Sequence, residues 1–166
     1  MPRRRGLRPQ LLAAVIRSKA TLAFAAERQV VIQTNMGDRD IQIGAYIDQL
    51  RGTGRDSAWH ALVELGPDAG PAAAAALGTT KDVDVHVALL KLLAEYRAAD
   101  AVPAITTQLQ HPMSDVWRAA LDALVTIGDE RAVAALTGVR SAAAEDRQPW
   151  IDEAISQIRA ARRRAG

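Results

Sequence analysis

Apolar residues in this chain recur at helical spacing, and the whole pattern repeats at an interval of 31 residues. The stretch at 89–96 matches the stretch at 120–127, and the same interval leads back to 58–65 and forward to 151–158. Within each stretch the apolar residues fall mostly three or four positions apart, which is the spacing of one buried helix face. A period of this length is typical of a solenoid. The pattern therefore predicts an all-α fold built from stacked repeats.

Each repeat is predicted to be an antiparallel helical hairpin. In the unit at 84–111, Asp84 precedes the first helix and Asp100 caps the second. In the unit at 115–140, Gly128 ends the first helix, because glycine readily adopts a left-handed backbone. A hairpin cannot bury its apolar faces alone, so we expect the hairpins to stack. In this register the equivalent core positions of the first helices are Val31, Leu62, Leu93, Leu124 and Ile155.

The residues that end the first helices define the boundaries of the repeats. At 31-residue spacing these positions are Asn35, Gly66, Arg97 and Gly128. Asparagine and glycine favour a left-handed backbone, so the spacing extends the repeats into the N-terminal part of the chain. We predict one repeat domain at 10–160, with a flexible basic tail at 1–9 and a basic tail at 161–166. Its predicted units are 10–50, 56–80, 84–111 and 115–140, followed by a capping helix at 148–160.

Two segments of these repeats resemble a known family. Residues 115–124 read Asp-Val-Trp-Arg-Ala-Ala-Leu-Asp-Ala-Leu and lead to Ile-Gly-Asp at 127–129. They are similar to a HEAT-like repeat of the phycobilisome-lyase type, and Asp-Ala-Val-Pro-Ala-Ile at 100–105 resembles its second-helix signature. The resemblance implies an armadillo-like alpha solenoid of about four to five hairpins, whose second helices line a concave face that commonly holds a partner. It is specific for the fold and nearly silent on function.

Positive charge is concentrated at the two ends of the chain. The two clusters are Arg3, Arg4, Arg5 and Arg8, and Arg159, Arg162, Arg163 and Arg164. Without these eight, 13 Lys and Arg face 19 Asp and Glu, so residues 11–158 carry a net charge of −6 although the whole chain carries +2. An acidic surface repels a phosphate backbone, which weakens the nucleic-acid interpretation that the sequence pI of 9.4 suggests.

Missing residue types exclude or disfavour several kinds of site. The chain has no Cys, which excludes disulfides, thiolate metal sites and cysteine nucleophiles and fits a reducing, cytoplasmic location. No stretch approaches the ~20 apolar residues of a membrane helix. The three histidines, His60, His86 and His111, do not have the spacing of a helical metal pair. Since there is also no phosphate loop and no nucleophile elbow, we expect no catalytic residue, no metal and no cofactor.

The three tryptophans differ in their predicted surroundings. Trp59 and Trp150 lie on the apolar faces of their helices and are predicted to be core residues. Trp117 aligns with Arg55 and His86 in the 31-residue register, so it is predicted to lie near the surface. A partly exposed Trp117 would be a candidate contact for a partner, and the alternative is a stacking contact between repeats.

The favoured hypothesis is a non-catalytic protein-binding scaffold or adaptor that holds a protein or peptide on the concave face of its second helices. The candidate contact residues are Gln42, Gln49, Thr106, Gln110, Trp117, Arg131 and Arg140. The acidic body favours a basic partner, as expected for a regulator or an immunity-type inhibitor.

The alternative hypothesis is a nucleic-acid-associated protein that uses the terminal Arg clusters as electrostatic arms. The residues of these arms are Arg3, Arg4, Arg5, Arg8, Arg162, Arg163 and Arg164. A cluster of four charges is short for binding by itself and is also typical of a disordered, solubilising tail.

Overall fold

The computed structural model describes residues 38–165, and every regular element in this range is helical. The helices are α1 at 38–49, α2 at Arg55–Leu65, α3 at Gly70–Leu77, α4 at Val83–Glu95, α5 at Val102–Thr107, α6 at Ser114–Ile127, α7 at Glu130–Val139 and α8 at Gln148–Ala165. Short 3₁₀ turns lie at Gly66–Ala69, Ala99–Ala101, Gln108–Gln110 and Arg140–Ala142. The predicted all-α fold is confirmed. None of the helices within the described range is long and apolar enough to cross a membrane.

The chain divides into two compact units, Met1–Ile41 and Gln42–Gly166. The repeat pattern predicts a single domain over 10–160. The boundary between the two units instead falls inside the predicted first repeat at 10–50. The predicted tail at 1–9 and the predicted terminator Asn35 lie outside the described residues.

The helices of the second unit pack in two layers. The first-helix layer contains α2, α4, α6 and α8, and in it α6 packs against both α4 and α8. The second-helix layer contains α3, α5 and α7, and in it α5 packs against both α3 and α7. Between the layers, α3 packs on α4, α5 on α6 and α7 on α8. This arrangement is the predicted alpha solenoid of helical hairpins.

The core follows the 31-residue period. Leu62, Leu93 and Leu124 occupy equivalent positions of α2, α4 and α6, and each is fully buried. Ile155 is the next residue in this series and is also buried. Burial of apolar surface stabilises a fold by about 25 cal/mol per Å², so these repeated positions contribute directly to stability. The predicted register is confirmed for these four residues, and Val31 lies outside the described range.

Residues with a positive φ angle follow three first helices at the predicted interval. The φ angle is 71° at Gly66 after α2, 47° at Arg97 after α4 and 65° at Gly128 after α6. Arg97 is the only non-glycine residue with positive φ in the part of the chain that the structure describes. The predicted terminators are confirmed at these positions, and Arg97 adopts the terminator backbone in spite of its Cβ atom.

Two helix starts differ from the predicted ones. Asp82, not Asp84, caps α4, because the Oδ1 atom of Asp82 accepts hydrogen bonds from the backbone N–H groups of Asp84 (2.9 Å) and Val85 (3.2 Å). Asp100 does not cap α5 with its side chain, because the turn Ala99–Ala101 already leads into that helix. The predicted aspartates therefore do lie near the helix starts. The residue that caps a helix is the one whose backbone is extended just before the first turn, and for α4 this residue is Asp82.

The last helix is longer than predicted. It continues to Ala165, five residues beyond the predicted capping helix at 148–160, so residues 161–165 of the predicted basic tail at 161–166 are helical. Arg162, Arg163 and Arg164 lie in its last turn, where positive charge interacts favourably with the helix dipole. The Nη2 atom of Arg162 also lies 2.7 Å from Oε2 of Glu130, which joins α8 to α7.

Replacing Tyr96 with phenylalanine is expected to lower the free energy of unfolding by about 1 kcal/mol. The Tyr96 hydroxyl donates a hydrogen bond to the carbonyl oxygen of Leu62, which joins α4 to α2. The N–H group of Gly66, the usual helical donor to Leu62, bonds to Val63 instead. Removing the hydroxyl therefore leaves a buried acceptor without its partner. Urea unfolding of both proteins measures the difference.

Tyr46→Phe is the matched control, because among the described residues its hydroxyl accepts a single long, exposed hydrogen bond, of 3.4 Å from Gln42. Equal losses in the two variants would contradict the role given to the Leu62 bond. Burial raises the pKa of Tyr96 to about 12, above the value of about 10 in an unfolded chain. Its contribution to stability is therefore complete below about pH 10 and lost as the pH rises towards 12.

Candidate partner-binding surface

A groove runs between α5 and α7 on the second-helix layer and has a volume of about 640 Å³. We call it the second-helix groove, and it is lined by Ala99, Asp100, Val102, Pro103, Thr106, Arg131, Ala134, Ala135 and Val139. Pro103 and Ala134 are equivalent residues of consecutive repeats, and both are exposed. Because most of the lining side chains are small, neighbouring helices leave open space between them instead of filling it.

The polar part of this groove is an ion pair between consecutive repeats. The Nη1 atom of Arg131 lies 2.6 Å from Oδ1 of Asp100, and the two residues are separated by one period of 31. Their side chains are 63% and 99% exposed, so the pair contributes little to stability. Thr106 is partly buried, and its hydroxyl donates to the carbonyl oxygen of Val102 at 2.7 Å. The groove thus combines an apolar floor with one charged pair that a ligand can reach.

The structure brings together two of the predicted contact residues, Thr106 and Arg131, in this groove. The others lie elsewhere: Gln42, Gln49, Gln110, Trp117 and Arg140. Arg140 is engaged with α8, because its Nε and Nη2 atoms donate to the two carboxylate oxygens of Asp152, with 2.7 Å between Nη2 and Oδ2. These hydrogen bonds lower the pKa of the Asp152 carboxyl.

A family model for HEAT repeats matches residues 70–156, which is slightly more than half of the chain. The chain belongs to the HEAT-repeat family. The match is to HEAT repeats in general, and the phycobilisome-lyase type stays a prediction. A search of the curated proteins gives no significant match. HEAT repeats are commonly scaffolds for protein interactions, because their stacked helices present extended binding surfaces.

Trp117 is not the exposed contact residue that the repeat register predicts. It is only 6% exposed and packs edge-on against Trp150, with ring centroids 6.3 Å apart. His86, its equivalent in the preceding HEAT repeat, is buried as well. The prediction of a surface position is wrong, because the neighbouring repeat covers this column of residues. Trp117 contacts the next repeat, as the alternative prediction expected, but the two rings meet edge-on and do not stack.

Trp150 also differs from its prediction, because it is 52% exposed and not part of the core. It lies at the edge of the apolar face of α8, whereas the next residue, Ile151, is almost fully buried. The Cζ atom of Arg118 lies 5.5 Å from the centroid of the Trp150 ring, within the range of a cation–π contact. Between residues 38 and 165, the exposed aromatic residue is therefore Trp150, on the first-helix layer.

Arg147 makes structural contacts that the sequence pattern does not predict. Its Nη1 atom donates to the carbonyl oxygen of Leu109 at 2.6 Å, and its Cζ atom lies 5.2 Å from the centroid of the Trp117 ring. In the 31-residue register Arg147 is equivalent to Val85 and Val116, which are fully buried. The sequence does contain one indication of this role, because Arg147 stands where two other repeats have a core valine.

A pair of imidazole rings lies close to Arg147. The rings of His86 and His111 are 4.9 Å apart, and Nδ1 of His86 donates to the carbonyl oxygen of Asp82 at 3.0 Å. The Nδ1 atom of His111 accepts a hydrogen bond from the N–H group of Met113 at 3.2 Å. No group of three or more His, Asp and Glu in the described range could hold a metal ion. Burial, and then the charges of His86 and Arg147, lower the pKa of His111.

Acidification is expected to destabilise the protein through His111. Its pKa is lower in the folded chain than the value of about 6.5 in an unfolded chain. The neutral ring therefore contributes stability that is complete above about pH 6.5 and lost as the pH falls through the lower, folded value. Urea unfolding at about pH 7.5 and at about pH 5, where most carboxylates stay ionised, measures the loss.

His111→Gln is expected to reduce this pH dependence, and His60→Gln is the matched control. His60 is exposed, and its ring bonds to the carbonyl oxygen of Asp56 on its own helix. If His111→Gln keeps the pH dependence of the unmodified chain, another group is responsible for it.

Proposed function

We propose that the chain is a non-catalytic, protein-binding scaffold or adaptor and that a segment of its partner lies in the second-helix groove. The observation that carries the proposal is the groove itself, which is formed by two consecutive HEAT repeats and lined by Thr106 and Arg131. A HEAT-repeat stack supports it, because the members of this family commonly hold other proteins.

The chemistry of the groove favours a peptide segment as its occupant. Apart from Asp100 and Arg131, its lining residues are uncharged, and most are Ala, Val or Pro. Such a surface offers apolar contact along its length and one charged pair that can orient the ligand. A helix or an extended segment with small apolar side chains fits this combination.

The charge of the described residues favours a basic partner. They contain 14 Lys and Arg and 18 Asp and Glu, a net charge of −4. Charge of one sign steers partners of the opposite sign and weakens contact with acidic proteins. A regulator or inhibitor of a basic protein is consistent with this balance, and we propose it as the finer form of the scaffold role.

The competing proposal, binding of nucleic acid through the terminal Arg clusters, has less support. Arg163 and Arg164 are exposed at the end of α8, but Arg162 is paired with Glu130, and the remaining surface is acidic. The N-terminal cluster of Arg3, Arg4, Arg5 and Arg8 lies outside the described residues. A steep loss of DNA or RNA affinity with salt that depends on these clusters would favour this alternative.

A photo-crosslinking amino acid at position 106 tests the protein-binding proposal in the cells that produce the chain. The matched control carries the same amino acid at position 126, because Thr126 is exposed on α6 and its hydroxyl also donates to the carbonyl four residues earlier. We expect a defined protein crosslinked from position 106 and not from position 126. Mass spectrometry identifies that protein and the peptide that lies in the groove.

The identified partner is then measured against purified variants. Thr106→Arg fills the groove, so we expect it to weaken binding about tenfold or more, whereas Thr126→Arg leaves affinity unchanged. Equal affinity for the two variants would contradict the position of the site. Crosslinks to nucleic acid from position 106 would contradict the scaffold proposal.

A further inference from the structure

A second groove lies between α6 and α8 on the first-helix layer, and it differs in chemistry from the second-helix groove. It has a volume of about 300 Å³, and we call it the tryptophan groove. Its walls include the side chains of Arg118, Leu121, Asp122, Val125, Trp150 and Glu153. An aromatic ring, an apolar floor and three charged groups therefore meet in one place.

Two indole rings hold a guanidinium group at the edge of this groove. The Cζ atom of Arg118 lies 5.3 Å from the centroid of Trp117 and 5.5 Å from that of Trp150. The two rings meet at an angle of 67°. A guanidinium group within about 6 Å of an aromatic ring makes a favourable cation–π contact. The chain itself thus shows that the Trp150 ring accepts an arginine side chain.

The contact with Arg118 covers part of the Trp150 side chain and leaves the rest exposed. Trp150 is 52% exposed even with Arg118 beside it, and it is the exposed tryptophan among the described residues. Tryptophan and arginine are the residue types that most often dominate the energy of protein interfaces. The exposed surface of Trp150 therefore leaves room for contact with a second group of the same kind.

The charges around the ring favour a cation as that group. Asp122 and Glu153 are exposed, and no ion pair between residues of the described range involves either carboxylate. The Oε1 atom of Glu153 accepts a hydrogen bond from Gln157, on the same helix, at 3.0 Å. With Arg118 included, the groove carries one more negative than positive charge. A basic side chain stacked on Trp150 would find carboxylates beside it.

We infer that the tryptophan groove binds an arginine side chain of a basic protein segment. The guanidinium group stacks on Trp150, and its N–H groups donate to Glu153 and Asp122. Arginine is preferred to lysine, because its planar, weakly hydrated guanidinium group stacks on an aromatic ring and binds carboxylates in two places. This site lies on the layer opposite to the second-helix groove, so it extends the proposed function and can succeed or fail independently of it.

Isothermal titration of the full chain with a blocked octa-arginine peptide at low ionic strength tests this inference. We expect the combined variant Asp122→Asn and Glu153→Gln to weaken binding about fivefold, and Trp150→Ala to weaken it by a similar factor. Arg118→Ala removes the arginine that already contacts Trp117 and Trp150. We therefore expect this variant to bind the peptide more tightly or with unchanged affinity. An octa-lysine peptide is expected to bind more weakly than octa-arginine.

The matched control is the combined variant Glu64→Gln and Glu95→Gln, which removes the same two negative charges from exposed positions outside the groove. Equal weakening in both carboxylate variants would overturn the inference, because only the net charge would matter. Loss of binding in Arg118→Ala, or octa-lysine binding as tightly as octa-arginine, would overturn it too. The carboxylate variants leave the contacts between the tryptophans in place, so the test holds even if Trp150→Ala impairs folding.

Discussion

Replacing Gly66 with alanine is expected to lower the free energy of unfolding by about 2 kcal/mol, and by up to about 3 kcal/mol. Gly66 has φ of 71° and ψ of −160°, a conformation that is essentially restricted to glycine. A Cβ atom at this position would meet no atom within 4 Å, so the expected loss comes from the backbone alone. Urea unfolding followed by circular dichroism measures it.

The other two terminator positions provide graded comparisons. Gly128→Ala is expected to cost about 1 to 2 kcal/mol, because its φ of 65° and ψ of 18° lie in the left-handed helical region that other residues can enter. Arg97→Gly is expected to stabilise the fold by about 0.5 to 1 kcal/mol, because glycine removes the strain of a Cβ atom at φ of 47°.

Gly44→Ala is the matched control for this series. Gly44 lies within the helical range 38–49 without a positive φ, and a Cβ atom there would also meet nothing within 4 Å. Alanine is the better helix former by about 1 kcal/mol, so this variant is expected to be at least as stable as the unmodified chain. A loss at Gly66 no greater than the change at Gly44 would contradict the structural role of the terminators.

Replacing Arg147 with valine is expected to lower the free energy of unfolding by about 2 kcal/mol. The variant loses a charge-assisted hydrogen bond to the carbonyl of Leu109 and a cation–π contact with Trp117. Part of this loss is offset, because the Nε atom of Arg147 is buried without a hydrogen-bond partner in the described structure. Valine is the informative substitution, because Val85 and Val116 occupy this position in the preceding repeats.

Arg163→Val is the control for the general effect of removing an arginine, because Arg163 is exposed in the last turn of α8. We expect its stability to change by less than about 0.5 kcal/mol. If Arg147→Val is as stable as the unmodified chain, the position behaves as an ordinary core valine, and the guanidinium contacts add nothing to the fold.

Much of the architecture follows from local pattern. The period of 31 places Leu62, Leu93 and Leu124 on one buried face, and it places Gly66 and Gly128 at the ends of the preceding helices. Helical spacing and backbone preference act within a few residues, so both can be predicted without knowing which helices are neighbours. The same logic predicts Asp84 and Asp100 near two helix starts, but not that Asp82 caps α4 in place of Asp84.

The candidate binding surface could be predicted only in part. Thr106 and Arg131 lie in the second-helix groove, but Arg131 meets Asp100 there through packing of consecutive repeats. Trp117 shows the limit of sequence-based prediction most clearly. Its register position is polar in other repeats, but the next repeat covers it. A polar residue at such a register position is therefore not evidence of exposure, because the residues that cover it can belong to the neighbouring repeat.

The sequence by itself determined the helical class, the repeat length, the core positions and the acidic balance of the repeated body. These properties depend on residue type and on spacing along one helix. Only the tertiary structure decided that Trp117 is buried, that Trp150 is exposed beside Arg118, and that Arg147 reaches a carbonyl 38 residues earlier in the chain. These depend on the distances between side chains of different helices, and those distances are set by how the layers pack.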